Sequence, residues 1–429
     1  APQPFMNIIL DKIFFRSKNL DYISRNLKNL TNETSAKKIF EAINGYSEDS
    51  EVRYVGGCIR KVIKKETVDD IDLATNLNPI EICEALKNNE INFYETGIKH
   101  GTITAMIDEK KYEITSLRKD IKTDGRHAEV EFSKDWKEDA SRRDFSINSI
   151  YSDKDGNLFD PFNGKKDLED GNINFIGDVE KRIQEDYLRI LRYLRFYINY
   201  SKHKHQPDVI KSIKKNIYGI SNISAERLLD EFKKITDSLG FIKIFNDKES
   251  LELIEIIFPQ FKNIQNFKKL NSYASKNFSE VDFIFLLSLL IVDGTDNADY
   301  FLYKFKISKK DQKRLKLIDF FYKDKVTPYN FTEKNLNKIF YFNGRQAVID
   351  IMNFKIFTSS KIEKKLIKLI DTYQEKEIPT LPIGAELLIT KFQIPEGKKL
   401  GNKLKRIEEM WVDNGFQISE KQVLQIVKG

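Results

Sequence analysis

The chain has 429 residues, of which 40% are hydrophobic and 32% charged, with a net charge of +7; by length this corresponds to about three domains with packed cores. No stretch approaches the roughly 20 apolar residues that span a bilayer, and the start lacks the basic, apolar and small-residue order of a secretory signal, so no membrane partner is expected. Only Cys58 and Cys83 occur, which excludes a disulfide scaffold or a four-cysteine zinc site and implies a reducing compartment, by default the cytoplasm, otherwise an organelle matrix.

In chain order, Met6 reads as the native start, and residues 7–48 read as mostly helical. Tyr54-Val55 then leads into Gly56-Gly57-Cys58-Ile59-Arg60. Glycine lets backbone N–H groups approach phosphate oxygens, and Arg60 adds a forked cation. After a short helix expected over Ile59 to Lys65 comes Val68-Asp69-Asp70-Ile71-Asp72-Leu73-Ala74-Thr75. If Asp70 to Leu73 is a strand with Ile71 and Leu73 toward the core, Asp70 and Asp72 project from the other face about 6.6 Å apart. Such a pair can hold metal ions spaced by roughly 3.5–4 Å, as in two-metal phosphoryl chemistry. A glycine pair alone is usually a turn and an Asp-x-Asp alone is usually surface. In this order, around one helix, they point to nucleotidyl transfer.

Thr102 to Ile107 and Tyr112 to Leu117 alternate as a hairpin around Asp108-Glu109-Lys110, which puts Glu113 on a strand as a candidate third carboxylate. Residues 51–176 mix strands and helices, and beyond about residue 180 the pattern is helical almost to the end. Ile183, Tyr187, Ile190, Leu191 and Leu194 recur at helical spacing and predict one buried stripe, with Glu185, Asp186, Arg189 and Arg192 on the other sides. Ser224 is expected to cap the helix that follows it. A glycine- and proline-containing segment from Leu381 to Val427 suggests a small terminal unit. Residues 1–200 hold 32 Lys and Arg against 36 Asp and Glu, and residues 201–429 hold 40 against 29. The basic second half suits a polyanionic partner, although a lysine-rich soluble surface would look the same.

Five ordered segments resemble one family. They are Gly-Gly-Cys-Ile-Arg with Asp-Ile-Asp-Leu-Ala-Thr, Arg142-Arg143-Asp144-Phe145-Ser146-Ile147-Asn148-Ser149, Asp160-Pro161-Phe162-Asn163-Gly164, Glu185-Asp186-Tyr187-Leu188-Arg189, and Ile223-Ser224-Ala225-Glu226-Arg227. The chain resembles the class II CCA-adding tRNA nucleotidyltransferases, densely over about residues 50–235. The resemblance implies an α+β protein with a polymerase-beta-type head followed by an all-helical neck, body and tail, seahorse-like in outline. Its divisions would be a head at 7–176 with an N-terminal helical extension, a base-selecting neck at 177–240, a body at 241–375 and a tail at 376–429. The implied activity is template-independent addition of C, C and A to the tRNA 3′ end from CTP and ATP, releasing pyrophosphate. By motif position Asp70, Asp72 and Glu113 would be the catalytic carboxylates around two Mg²⁺ ions, with Asp70 and Asp72 as the main metal ligands. Gly56, Gly57 and Arg60 would hold the triphosphate, and Arg143, Asp144 and Asn148 would lie at ribose and phosphates. Asp120 and Arg126 would belong to a flexible loop tied to the switch from C to A. None of the four histidines is required, and no protein partner is implied.

Base choice also follows from the residues. Cytosine and adenine both present an amino donor beside a ring-nitrogen acceptor, and uracil and guanine present the reverse. Asp186 and Arg189, three apart and expected on one helix face, can accept and donate to match, with Glu185 orienting the arginine; a surface ion pair is the plain alternative. One departure from the family is Lys61, where an aspartate usually follows the arginine. Rival readings are an A-adding or CC-adding enzyme or a poly(A) polymerase, and, in another class, a catalytically inactive RNA-binding protein. The segment Thr96-Gly97-Ile98-Lys99-His100-Gly101-Thr102 favours the CCA-adding form by its resemblance.

Overall fold

The computed structural model describes residues 22–123, 128–324 and 331–429. The chain divides into two compact units, Ala1–Phe241 and Ile242–Gly429.

The first unit is built on a seven-stranded sheet. Its strands are β1 (Val52–Val55), β2 (Ile71–Thr75), β3 (Asn92–Gly97), β4 (Thr102–Ile107), β5 (Lys110–Ser116), β8 (Tyr151–Ser152) and β9 (Leu158–Phe159), in the order β3-β4-β5-β2-β1-β8-β9. Between them in sequence, β6 (Arg118–Thr123) and β7 (Ala128–Phe132) form a separate two-stranded ribbon. Among the described strands only β2 and β5 pair parallel, with Asp72 directly opposite Glu113. The hairpin β4–β5 closes through Asp108 and Glu109 at φ 50° and 64°, the mirror-image turn whose twist matches that of paired strands.

Alternation along β2 buries Ile71, Leu73 and Ala74 and leaves Asp72 on the open face. The strand starts at Ile71 rather than at Asp70, so the strand face predicted to carry both aspartates carries one. Asp70 lies at its mouth. The helix between the motifs runs Gly57–Ile63, two residues earlier than expected, because Gly56 at φ 72° turns the chain directly out of β1. Residues 22–33 and Ala36–Asn44 are helical, as expected, and residues 7–21 lie outside the described residues. They lean on the sheet through Thr31, whose hydroxyl meets the Tyr54 hydroxyl at 2.8 Å, and through Phe40, packed edge-on to Tyr54 at 4.9 Å.

The helices Val179–Glu185, Arg189–Tyr200, Pro207–Asn216 and Ala225–Thr236 complete this unit. The continuous helix expected through Glu185 and Arg189 is broken. Asp186 is extended at φ −153° and ψ 105°, and its side chain accepts from Leu188 N–H at 3.1 Å. A short polar side chain that satisfies a nearby backbone donor competes with the helical bond and favours a turn. Tyr187, expected in the buried stripe, is only half-buried; it rests on Gly219, where a Cβ would lie 2.1 Å from its ring.

The second unit is helical, from Lys248–Ile257 to Glu420–Lys428. Its helix Phe283–Ile291 is buried on nearly every side, and Arg314 ties Asp282 to Asp350 at 2.7 Å each. Leu388, Ile394, Leu400, Ile407, Val423 and Ile426 form a separate apolar cluster near the end of the chain. Among the described residues no helix is long and apolar enough to cross a membrane.

Candidate active site

One cavity of about 360 Å³ gathers most of the motifs. It is lined by Val55, Gly56, Gly57, Arg60 and Asp72 from the start of the unit, by Arg142, Arg143, Asp144 and Asn148, and by Asp186, Arg189, Arg192, Arg195 and Phe196. Six arginines face three carboxylates there, a strongly cationic lining that suits a polyphosphate.

The lining is fixed by hydrogen bonds around Asn148. Its side-chain oxygen accepts from Arg60, and its side-chain amide donates to Asp144 Oδ1 at 3.2 Å. Arg60 also donates to the Tyr200 hydroxyl at 3.2 Å, and its guanidinium lies 4.8 Å from the Phe196 ring. Arg192 and Arg195 lie 5.5 Å and 4.5 Å from the same ring, so one buried aromatic face organises three cations. Asp144 Oδ2 accepts from Arg192 Nε at 2.6 Å. Burial opposes the Asp144 charge, but Arg192, Asn148 and the Phe145 N–H outweigh it and hold the carboxyl below the usual carboxylate range.

Beneath the pair of adjacent arginines lies Asp139, 1% exposed, within 3.1 Å of Arg142 and 3.4 Å of Arg143. Tyr151 donates to it at 2.5 Å. Burial and the neighbouring Arg143 pull the Arg142 guanidinium down to about 10. Arg182 reaches across, donating to the backbone carbonyls of Arg142 and Arg143 and pairing with Glu185 at 2.7 Å. Glu185 in turn accepts from Arg189 at 3.0 Å. Asp186 and Arg189 line the same cavity despite the break between their helices, but the partner of Asp186 is Arg227, at 2.9 Å.

Solvent reaches the Asp72 side chain, yet the protein around it desolvates its carboxyl. Together with Glu113, and in part with Asp70, that burial pushes it up to about 6, against the pull of Arg143 and Lys61. A carboxylate whose charge its carboxylate neighbours disfavour is one that a bound cation relieves, so Asp72, facing Glu113 across β2 and β5 with Asp70 at the strand mouth, fits a metal ligand. Among the described residues no three carboxylate, histidine or cysteine side chains already stand close enough to enclose one ion. Lys61 lies 4.0 Å from Asp69. Asp120 is on β6, paired with Val130 of β7, so this stretch is a ribbon rather than the loop expected; Arg126 lies outside the described residues.

Sequence reasoning missed Asp139, Arg182 and Arg195, and placed Arg192 on the polar side of its helix without giving it a role. Asp139 carried a signal, because it precedes Arg142 and Arg143 by three and four residues. Arg192 and Arg195 repeat at three-residue spacing after Arg189.

Comparison with known proteins agrees with this arrangement. Residues 52–174 match the Poly A polymerase head domain, and residues 205–265 match the "Probable RNA and SrmB- binding site of polymerase A". The chain is 34% identical to the mitochondrial CCA tRNA nucleotidyltransferase 1 of Homo sapiens, over 89% of this chain and 87% of that protein. The chain belongs to the CCA-adding tRNA nucleotidyltransferase family. Another member, the CCA-adding enzyme of Lactobacillus johnsonii, is 29% identical over 92% of this chain and 96% of its own. The fold is that of the Bacillus stearothermophilus CCA-adding enzyme solved in complex with CTP, with a TM-score of 0.70 at 22% identity, covering 91% of this chain and 95% of that one. Membership in the CCA-adding family makes this chain a metal-dependent nucleotidyltransferase with an α+β head and helical remainder.

Proposed function

We propose that this enzyme adds C, C and A to the 3′ end of tRNA from CTP and ATP, releasing pyrophosphate. The observation that supports it most is the single cavity in which Asp72, the glycine pair with Arg60, the Asp144–Asn148 pair, and Asp186 with Arg189 meet. Asp70, Asp72 and Glu113 would hold two Mg²⁺ ions. When bound, these would offset triphosphate charge and make the tRNA 3′ hydroxyl a better nucleophile. The chain's own residues do the rest. Gly56, Gly57 and Arg60 receive the triphosphate, and Arg143 adds a cation that Asp139 and Tyr151 keep in place. Asp144 and Asn148, locked to Arg192 and Arg60, present acceptors and donors at the ribose. Asp186 accepts from the amino group of C or A while Arg189 donates to the ring nitrogen, so UTP and GTP leave both unpaired. The divisions at 7–176, 177–240, 241–375 and 376–429 are read as head, neck, body and tail, with Asp120 on the ribbon that serves the switch from C to A and Arg126, which lies outside the described residues, read as acting with it.

Transcripts ending before the first C, after one C and after both, supplied with CTP and ATP separately and together, test the reading. Stepwise completion to CCA is expected. AMP alone would identify an A-adding enzyme, CMP alone a CC-adding enzyme, and long adenylate tails a poly(A) polymerase. No incorporation on any transcript would leave an RNA-binding protein.

A further inference from the structure

The segment Ile223-Ser224-Ala225-Glu226-Arg227 contributes no residue to the cavity lining, yet its arginine reaches into base choice from behind. Arg227 Nη2 donates to Asp186 Oδ2 at 2.9 Å, and Leu188 N–H donates to Asp186 Oδ1 at 3.1 Å. Both oxygens of the aspartate are thereby held from outside the cavity, and each keeps a further lone pair. Arg189 does not perform this service: its Nη1 donates to Glu185 at 3.0 Å and to the Arg182 carbonyl at 2.7 Å instead. The helix that carries Arg227 is itself anchored. Ser224 caps it, and Glu231, four residues on and 2% exposed, accepts from Arg195 Nε at 2.6 Å. Residues four apart share a helix face, so the Arg195–Glu231 pair holds Arg227 toward Asp186.

We propose that Arg227 is a positioning residue for nucleobase selection, acting through Asp186 without touching the base. The proposal rests on the reading of Asp186 as the acceptor for the base's amino group. A carboxylate can only accept. A base that presents a carbonyl at that point is rejected only if the carboxylate cannot turn aside. Asp186 sits in an extended break between two helices, where the Leu188 N–H holds Oδ1 and leaves Oδ2 to be held by another group. The Arg227 bond holds that second oxygen, so the carboxylate stays facing the base and the repulsion against the wrong base is retained.

The test uses the full chain and a tRNA transcript ending before the first C, comparing kcat/KM for CTP and for UTP. Arg227→Gln is expected to lower the CTP-over-UTP ratio by about tenfold. Arg227→Met, which keeps the aliphatic length without the guanidinium, should lower it equally, and Arg227→Lys should restore most of it. Asp186→Asn with Arg227→Gln should lose no more discrimination than Asp186→Asn alone, since the two act as one unit. Equal slowing of CMP and UMP incorporation at an unchanged ratio would show a merely structural arginine and overturn the proposal. If Asp186→Asn keeps the wild-type ratio, the acceptor reading itself fails, and the proposal with it. If Asp186→Asn loses the ratio while Arg227→Gln keeps it, the acceptor reading stands and the Arg227 proposal alone falls.

Discussion

Asp72 shows how a residue suited to a cation strains the protein that carries it. Its carboxyl is pushed up to about 6 by burial and by Glu113. Between the ordinary carboxylate range and that value the folded chain binds more protons than the unfolded one, so this group's contribution to stability falls as pH rises through the window. Above about 6 the penalty is complete. Asp72→Asn is therefore expected to raise the melting temperature of chelator-treated protein at about pH 7.5, with the gain disappearing below about pH 4, while incorporation is lost. Asp144 has the opposite sign. Its lowered carboxyl contributes stability above the ordinary range, and that is lost as pH falls through its folded value. Lys61 makes a second residue-scale case. It stands 4.0 Å from Asp69 and lowers the proton affinity of Asp72. An exposed pair of this kind is worth about 0–1 kcal/mol, so its role is felt in charge placement more than in stability. Lys61→Asp should lower the Mg²⁺ concentration needed for half-maximal CMP incorporation by about threefold or more, and adding Asp69→Lys should raise it again. A Mg²⁺ titration that is the same for all three proteins would show the pair to be idle.

At the scale of elements, what sequence made legible was what local chemistry decides. The Asp108-Glu109 turn, the β4–β5 hairpin and the Ser224 cap each depend on a few neighbouring residues, and periodicity or turn composition exposes them. The parallel pairing of β2 with β5 was not readable, because it joins segments separated by two other strands. Yet that pairing is what sets Asp72 opposite Glu113. The break at Asp186 was hidden for another reason. Apolar spacing carries through it, and nothing in the sequence shows that Asp186 will take the Leu188 N–H for itself or that Tyr187 will lodge on Gly219. The candidate site was legible as a set of motifs but not as a network. Glu231 is a buried anion whose arginine partner, Arg195, is known only once helices are packed, and a buried charge must be paired to be tolerated.

Across the whole molecule, charge is divided in a way that separates holding RNA from doing chemistry. Residues 242–429 carry 32 Lys and Arg against 24 Asp and Glu, whereas residues 1–200 are net acidic. In the first unit the cations of the cavity are spent on internal carboxylates, as with Arg192 on Asp144 and Arg195 on Glu231. Beyond residue 241 the buried anions Asp350 and Asp319 take up Arg314 and Lys323, and the excess of eight basic residues over acidic ones is available to phosphates. Each phosphate neutralised adds roughly 0.7–0.9 to the slope of log affinity against log salt. With four or more such contacts, tRNA binding should fall with a slope steeper than about −3. The buried pairs of the cavity are screened much less than exposed charges. The tRNA KM is therefore expected to climb steeply between about 50 and 300 mM salt, while kcat at saturating tRNA changes far less. Steady-state CMP incorporation across that range checks it. A flat tRNA KM would mean that the basic half is a soluble surface and not an RNA-holding one, and a kcat that collapses in parallel would mean that the cavity's ion pairs are open to solvent.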